Sequence, residues 1–145
     1  IESAYERIKT QYAVVFFDLD YFKKLNDTYG HECGDVVLST FGKILNKSVR
    51  EHDIVGRYGG EEFVAIIHFN LNRELLQFLK RIKTIVTENS FLYKEKKIKV
   101  TFSAGVAIRS SYATYENTLQ KADMLLYQAK ENGRNKIILE NGMEI

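Results

Sequence analysis

Two acidic clusters in this 145-residue chain have the residue types and spacing to do chemistry. The first is Arg57-Tyr58-Gly59-Gly60-Glu61-Glu62-Phe63, with Asp53-Ile54-Val55-Gly56 before it and Val64-Ala65-Ile66-Ile67 after it. Two apolar runs joined at Gly-Gly read as a β-hairpin, because glycine takes a positive φ without steric cost. The two carboxylates then stand at a turn with little bulk beside them. A large anion can approach there, provided a metal ion neutralises the charge. The second cluster, Asp18-Leu19-Asp20, closes the apolar run Ala13-Val14-Val15-Phe16-Phe17, which reads as a buried strand. If the strand continues, Asp18 and Asp20 share a face. If the chain turns instead, Asp18 stands at the strand's carboxyl end, where ligands sit in open α/β sheets. Hard cations such as Mg2+ take carboxylate, carbonyl and phosphate oxygens and use only one or two protein carboxylates. Asp18 with Glu61 or Glu62 therefore suits a metal–nucleoside triphosphate.

The elements that must position these groups follow from periodicity. A partial helix is expected over 2–8, the first strand over 13–18, and a short helical turn over 22–25. A polar, glycine-containing loop should then run through Gly34. Val37, Phe41, Ile44 and Leu45 form a helical stripe, so 35–48 reads as a helix. Hairpin strands are expected over 54–57 and 62–68, a helix over 72–89, and a strand over 98–108. Leu119, Ala122, Leu125, Leu126 and Ala129 mark a helix ended by Gly133, and 137–139 reads as a final strand. This mixture favours an α/β or α+β sandwich with a mixed, largely antiparallel central sheet flanked by helices over a doubly wound fold.

Composition narrows the function classes. At 45% hydrophobic and 28% charged, the chain can build an ordinary core. The whole of 1–145 reads as a single domain, and its abrupt charged start suggests a piece of a longer protein. A net charge of +2 is too mild to argue for nucleic acid or a membrane surface. Cys33 is the one cysteine, which excludes an internal disulfide and a multi-cysteine zinc site and fits a reducing cytoplasm. No run is long enough to span a bilayer and no signal peptide is visible.

The linked motifs resemble one family. Asp18-Leu19-Asp20-Tyr21-Phe22-Lys23 is similar to the Asp-x-Asp-x-Phe-Lys signature of GGDEF domains, the catalytic domains of diguanylate cyclases. Asn26-Asp27-Thr28-Tyr29-Gly30-His31 with Gly34-Asp35 resembles the next segment, and Gly59-Gly60-Glu61-Glu62-Phe63 is the motif in its Gly-Gly-Glu-Glu-Phe form. Thr101-Phe102-Ser103-Ala104-Gly105-Val106-Ala107 resembles the later strand; Ala122-Asp123, Leu126-Tyr127, Ala129-Lys130 and Gly133-Arg134-Asn135 resemble the terminal helix. The family's usual Asp-x-Leu-Thr-Gly-Leu-x-Asn-Arg opening, which helps wall the guanine pocket, is not found here. The resemblance implies a nucleotide-cyclase, palm-like fold. It implies condensation of two GTP into cyclic di-GMP with release of two pyrophosphates, using Mg2+ (Mn2+ possible) in a cytoplasmic signalling enzyme. Each domain would hold one GTP, so an antiparallel homodimer is required, and an N-terminal regulatory domain belongs to the full protein.

The resemblance also assigns roles, each with a plainer reading beside it. Asp18, the Leu19 carbonyl and Glu61 are the expected metal ligands; Glu61 is also the expected proton acceptor, with Glu62 as a second ligand or support. Asp18 as a turn cap and Glu61 as a solvated turn residue are the alternatives. Backbone N–H groups of Tyr21, Phe22 and Lys23 would hold phosphates at a helix start, and the Lys23 side chain would stabilise the transferring phosphate; an ordinary solvated Lys23–Lys24 pair is the alternative. Asn26 and Asp35 would read guanine, since a carboxylate accepts from its N1–H and N2–H and adenine lacks that donor pair. Asp35 could equally be a helix N-cap after Gly34. His31 would lie beside the nucleotide or bond to the loop backbone. Lys130 and Arg134, one helical turn apart, would reach the triphosphate or merely complement a helix dipole. Arg50 and Asp53 resemble the Arg-x-x-Asp site at which product cyclic di-GMP inhibits; a solvated charge cluster is the alternative. A catalytically silent GTP or cyclic di-GMP sensor is the rival to the enzyme as a whole.

Overall fold

The computed structural model describes residues 11–88, 91–112 and 114–145. The centre is β1 (Gln11–Leu19), buried from Tyr12 onward. It pairs antiparallel with β3 (Glu62–Phe69) on one side and β6 (Phe102–Ile108) on the other. The sheet has five strands in the order β2-β3-β1-β6-β7, with β2 (Ile54–Gly59) antiparallel to β3 and β7 (Ile137–Leu139) parallel to β6. A separate two-stranded hairpin joins β4 (Phe91–Tyr93) to β5 (Lys96–Ile98). Four α-helices complete the described residues: α1 (Phe22–Tyr29), α2 (His31–Ser48), α3 (Asn72–Glu88) and α4 (Tyr115–Glu131). The expected mixed, largely antiparallel α/β sandwich is present.

β1 is apolar at successive positions because both of its faces are covered. Its odd residues Ala13, Val15, Phe17 and Leu19 join the core beneath α2 and α3. There Phe17, Phe41, Phe63 and Phe102 stack edge to face, with centroid distances of 5.2 to 5.9 Å, each pair worth about 1 kcal/mol beyond its buried area. Its even residues Tyr12, Val14 and Phe16 meet Ala122 and Leu126 of α4. α4 lies close enough to do this because position 105 lacks a side chain: a Cβ there would stand 2.1 Å from the Ala122 carbonyl oxygen. Asp18 closes the even row, and Lys130 stands one turn beyond Leu126 on α4. Strand alternation and helix periodicity together therefore carry this lysine to this aspartate.

Several expectations are corrected. The polar loop through Gly34 is two helices, α1 and α2, broken at Gly30 (φ 92°). α1 includes the expected helical turn over 22–25; it buries no residue fully, and beyond Leu25 it offers no apolar stripe to read. Asp35 is not an N-cap: Gly30 holds that place and Asp35 lies a full turn inside α2, exposed. The strand expected over 98–108 begins at Phe102, and Ile98 belongs to β5. β1 runs through Leu19 before the chain turns at Asp20. Neither Gly59 nor Gly60 adopts positive φ; a register shift between Arg57 and Gly59 makes the bend, and the space beside Gly60 is open. The expected helix over 2–8 and the end of the helix expected to reach residue 89 lie outside the described residues.

Candidate functional site

The antiparallel pairing of β1 with β3 sets Asp18 directly opposite Glu62. Like charges in register are unfavourable, so a stability-driven sequence would avoid this pair. The turn between β2 and β3 is drawn onto β1 by the Leu19 N–H, which donates to the Glu61 carbonyl at 3.3 Å. Arg57 braces it from the other side, its Nε and Nη2 donating to the Gly60 carbonyl at 2.9 and 2.6 Å. The two acidic signatures, 43 residues apart from Asp18 to Glu61, thereby meet.

They meet in a cleft of about 510 Å3 whose lining includes Asp18, Leu19, Tyr21, Phe22, Lys23, Glu61, Lys130 and Arg134. Asp18 is 4% exposed. Its carboxyl is held up at about 6: burial is the largest cause, Glu61 and Glu62 add to it, and the Lys130 ammonium, which donates to Oδ2, works against them. Tyr21 enters α1 at φ 55°, a left-handed conformation unusual for a residue with a side chain. No side chain caps that helix start; the first intrahelical bond is Leu25 N–H to the Tyr21 carbonyl at 3.0 Å. The first-turn amides thus open on the cleft. The Arg134 guanidinium lies 5.0 Å from the centre of the Tyr21 ring, a cation–π arrangement.

Among the described residues, no group of three His, Cys, Asp or Glu side chains could cage a metal ion. The donor set is instead a carboxylate pair beside a cationic rim. That set fits Mg2+, which keeps waters and substrate phosphates in its shell.

Residues 1–136 match the family described as "Diguanylate cyclase, GGDEF domain". The chain belongs to the GGDEF family. Diguanylate cyclase A of Treponema denticola is 39% identical over 143 residues, which are 96% of this chain and 38% of that protein. The chain therefore spans well under half of this relative's length. The GGDEF domain of PA1120 (YfiN or TpbB) from Pseudomonas aeruginosa superposes with a TM-score of 0.88 at 31% identity, covering 95% of this chain and 86% of that one. The active GGEEF domain of a diguanylate cyclase from Vibrio cholerae gives a TM-score of 0.83 at 27% identity, covering 95% and 88%.

Of the other residues expected at the site of this GGDEF domain, Glu62 stands opposite Asp18 but outside that cleft's lining, and the rest fall in two further places. Asn26, His31 and Asp35 gather where α1 meets α2. Asn26 and Phe22, one turn apart on α1, both face Gly34; a Cβ on residue 34 would stand 1.9 Å from Asn26 Oδ1. That Oδ1 is buried without a hydrogen-bond partner, a costly state for an amide. Sequence places Gly34 in a loop and gives it no role; inside α2 a glycine costs about 1 kcal/mol, and the close approach of Asn26 supplies the reason for it. Arg57 was also passed over; its only sequence signal was its nearness to the Gly-Gly pair. Arg50 and Asp53 form the second group. Asp53 accepts from Arg50 N–H at 3.0 Å and from His68 N–H at 2.8 Å, while Arg50 Nη2 donates to the His68 carbonyl at 2.7 Å. No helix among the described residues is long and apolar enough to cross a membrane.

Proposed function

We propose that this domain condenses two GTP molecules into cyclic di-GMP, releasing two pyrophosphates. The observation that carries the proposal is the β1–β3 register, which sets Glu62 opposite Asp18 and brings Glu61 with Asp18 into one cleft, whose lining also holds the cations Lys23, Lys24, Lys130 and Arg134 and the acids Asp20 and Asp27. Asp18, the Leu19 carbonyl and Glu61 would hold Mg2+ or Mn2+, which supplies charge neutralisation and lowers the pKa of the attacking 3′-hydroxyl. Amides of Tyr21, Phe22 and Lys23 bind the terminal phosphates at the uncapped start of α1. The side chains of Lys23, Lys130 and Arg134 stabilise charge on the transferring group and the departing pyrophosphate. Lys130 leaves Asp18 to do so. Glu61 and Glu62 share the uptake of the hydroxyl proton. The orphaned Asn26 oxygen and the exposed Asp35 carboxylate, with His31 beside them, supply acceptors for guanine's donor edge.

The 3′-hydroxyl of one GTP attacks the α-phosphate of the other, so two domains face each other antiparallel; an N-terminal regulatory region brings them together. Product feeds back at Arg50 and Asp53. Arg50 is largely exposed, its fork held by the His68 carbonyl and Glu74 until product takes it, while Asp53 holds the turn that presents it. The test is incubation with GTP and Mg2+ of wild type beside Glu61→Ala and Glu62→Ala, with the product identified by chromatography. Cyclic di-GMP from wild type and its loss in Glu61→Ala are expected. GTP binding without turnover in a dimerised wild type would leave a sensor in place of the enzyme.

A further inference from the structure

Four signature residues carry no role so far: Asp20, the second aspartate of Asp-x-Asp; Thr101 and Ser103, the Thr-x-Ser of β6 and its approach; and Asn135, after Arg134. In the structure they are a single network. Asp20 Oδ2 accepts from Thr101 Oγ1 at 2.7 Å and from Asn135 N–H at 2.9 Å, and Asp20 Oδ1 accepts from Ser103 Oγ at 2.6 Å. Its own N–H donates to the Thr101 carbonyl at 3.0 Å. One carboxylate therefore ties the end of β1 to the start of β6 and to the turn that leaves α4.

That turn is held in an unfavourable shape. Arg134 and Asn135 are consecutive non-glycine residues at φ 63° and 49°, a left-handed pair that sterics disfavour. Arg134 N–H donates to the Ala129 carbonyl at 2.9 Å, which fixes the near side of the turn; Asp20 fixes the far side. The Arg134 side chain lies over Tyr21, the residue next to Asp20 and itself left-handed. Asp20 thus grips both members of the Tyr21–Arg134 stack, one through the chain and one through a charge-assisted hydrogen bond.

We propose that Asp20 is the positioning residue for Arg134: it locks the Arg134–Asn135 turn and so sets the guanidinium at the phosphate end of the cleft. The proposal rests on the reading that Arg134 meets the triphosphate. A group acting this way is felt by the β- and γ-phosphates and not by the base or the α-phosphate.

The test titrates GMP and a non-hydrolysable GTP analogue, each with Mg2+, into the whole chain by calorimetry. Asp20→Ala is expected to weaken the analogue about tenfold and to leave GMP within about twofold. Asp20→Asn retains an oxygen for Thr101 and Asn135 and turns its amide to the Ser103 hydroxyl, so it should recover most of the loss. Arg134→Ala should weaken the analogue to a similar degree, and adding Asp20→Ala to it should cost less than about twofold more. If Asp20→Ala does not fold, the pair Thr101→Val with Ser103→Ala takes two donors from the same carboxylate and is expected to show the same selectivity. Equal losses for GMP and the analogue, or additive losses with Arg134→Ala, would make Asp20 a general brace and overturn the proposal. An Arg134→Ala protein that binds the analogue as wild type does would overturn both the proposal and the reading beneath it.

Discussion

Asp18 and Asp53 are the same residue type at nearly the same depth, 5% and 3% exposed in their side chains, and they are treated in opposite ways. Asp53 ends a turn, and both of its oxygens receive main-chain N–H groups. Its charge is satisfied by the fold, so it stabilises the entry to β2 whether or not a ligand is present. Asp18 faces Glu62 across the sheet, and the ammonium it meets comes from a distant helix. Burial and its acidic neighbours hold its carboxyl up near 6. The lesson is that depth alone does not separate a structural acid from a working one; the source of the partners does. Main-chain donors, one from its own turn and one from β3, mark a structural role. Opposed carboxylates that borrow an ammonium from another helix are what the proposed cation site requires.

Activity gives the largest break between them. Asp18→Asn is expected to lower turnover of GTP by about a thousandfold or more, measured as cyclic di-GMP formed; Asp53→Asn should retain turnover within about tenfold, because its carboxylate is not in the cleft. Stability should invert the order. Asp53→Ala strands two main-chain donors and is expected to lose about 2 kcal/mol, or about 6 °C in Tm. Asp18→Asn should instead melt higher in the absence of ligand, by about 1 kcal/mol or about 3 °C, a modest gain because water reaches the carboxyl from the cleft. pH sharpens this third prediction. A carboxyl raised to about 6 binds a proton in the native state that the unfolded chain has already released. Ligand-free wild type should therefore lose stability as pH rises from about 4 to about 6, and Asp18→Asn should flatten that slope. The smallest effect is expected at Arg50→Ala, with stability within about 0.5 kcal/mol of wild type and inhibition by added cyclic di-GMP relieved.

How much of this was legible in sequence depended on the kind of signal. Buried elements announced themselves: the β1 run, the α2 and α4 stripes, and β7 all fall where periodicity put them, because burial forces apolar residues into a fixed spacing. α1 was legible only over 22–25, where Phe22 and Leu25 lean on the core; its polar remainder reads as loop. The β4–β5 hairpin turns through Lys94 and Glu95 at positive φ, residues that carry no turn signature. The acidic clusters were visible as letters, but the register that joins them is a property of β1 pairing with β3, which no local pattern encodes. Spacing along α4 sets Lys130 in line with Leu126, but its meeting with Asp18 also needs the approach of α4 at Gly105, which spacing alone does not show.

The most direct measurement is calorimetric binding of a non-hydrolysable GTP analogue, with and without Mg2+, to wild type, Asp18→Asn, Glu61→Gln and the double variant. If both carboxylates serve one cation, Mg2+ should tighten binding in wild type, each single change should abolish most of that gain, and the second change should add little to the first. Independent, additive losses, or Mg2+-stimulated binding that survives both substitutions, would contradict a shared site.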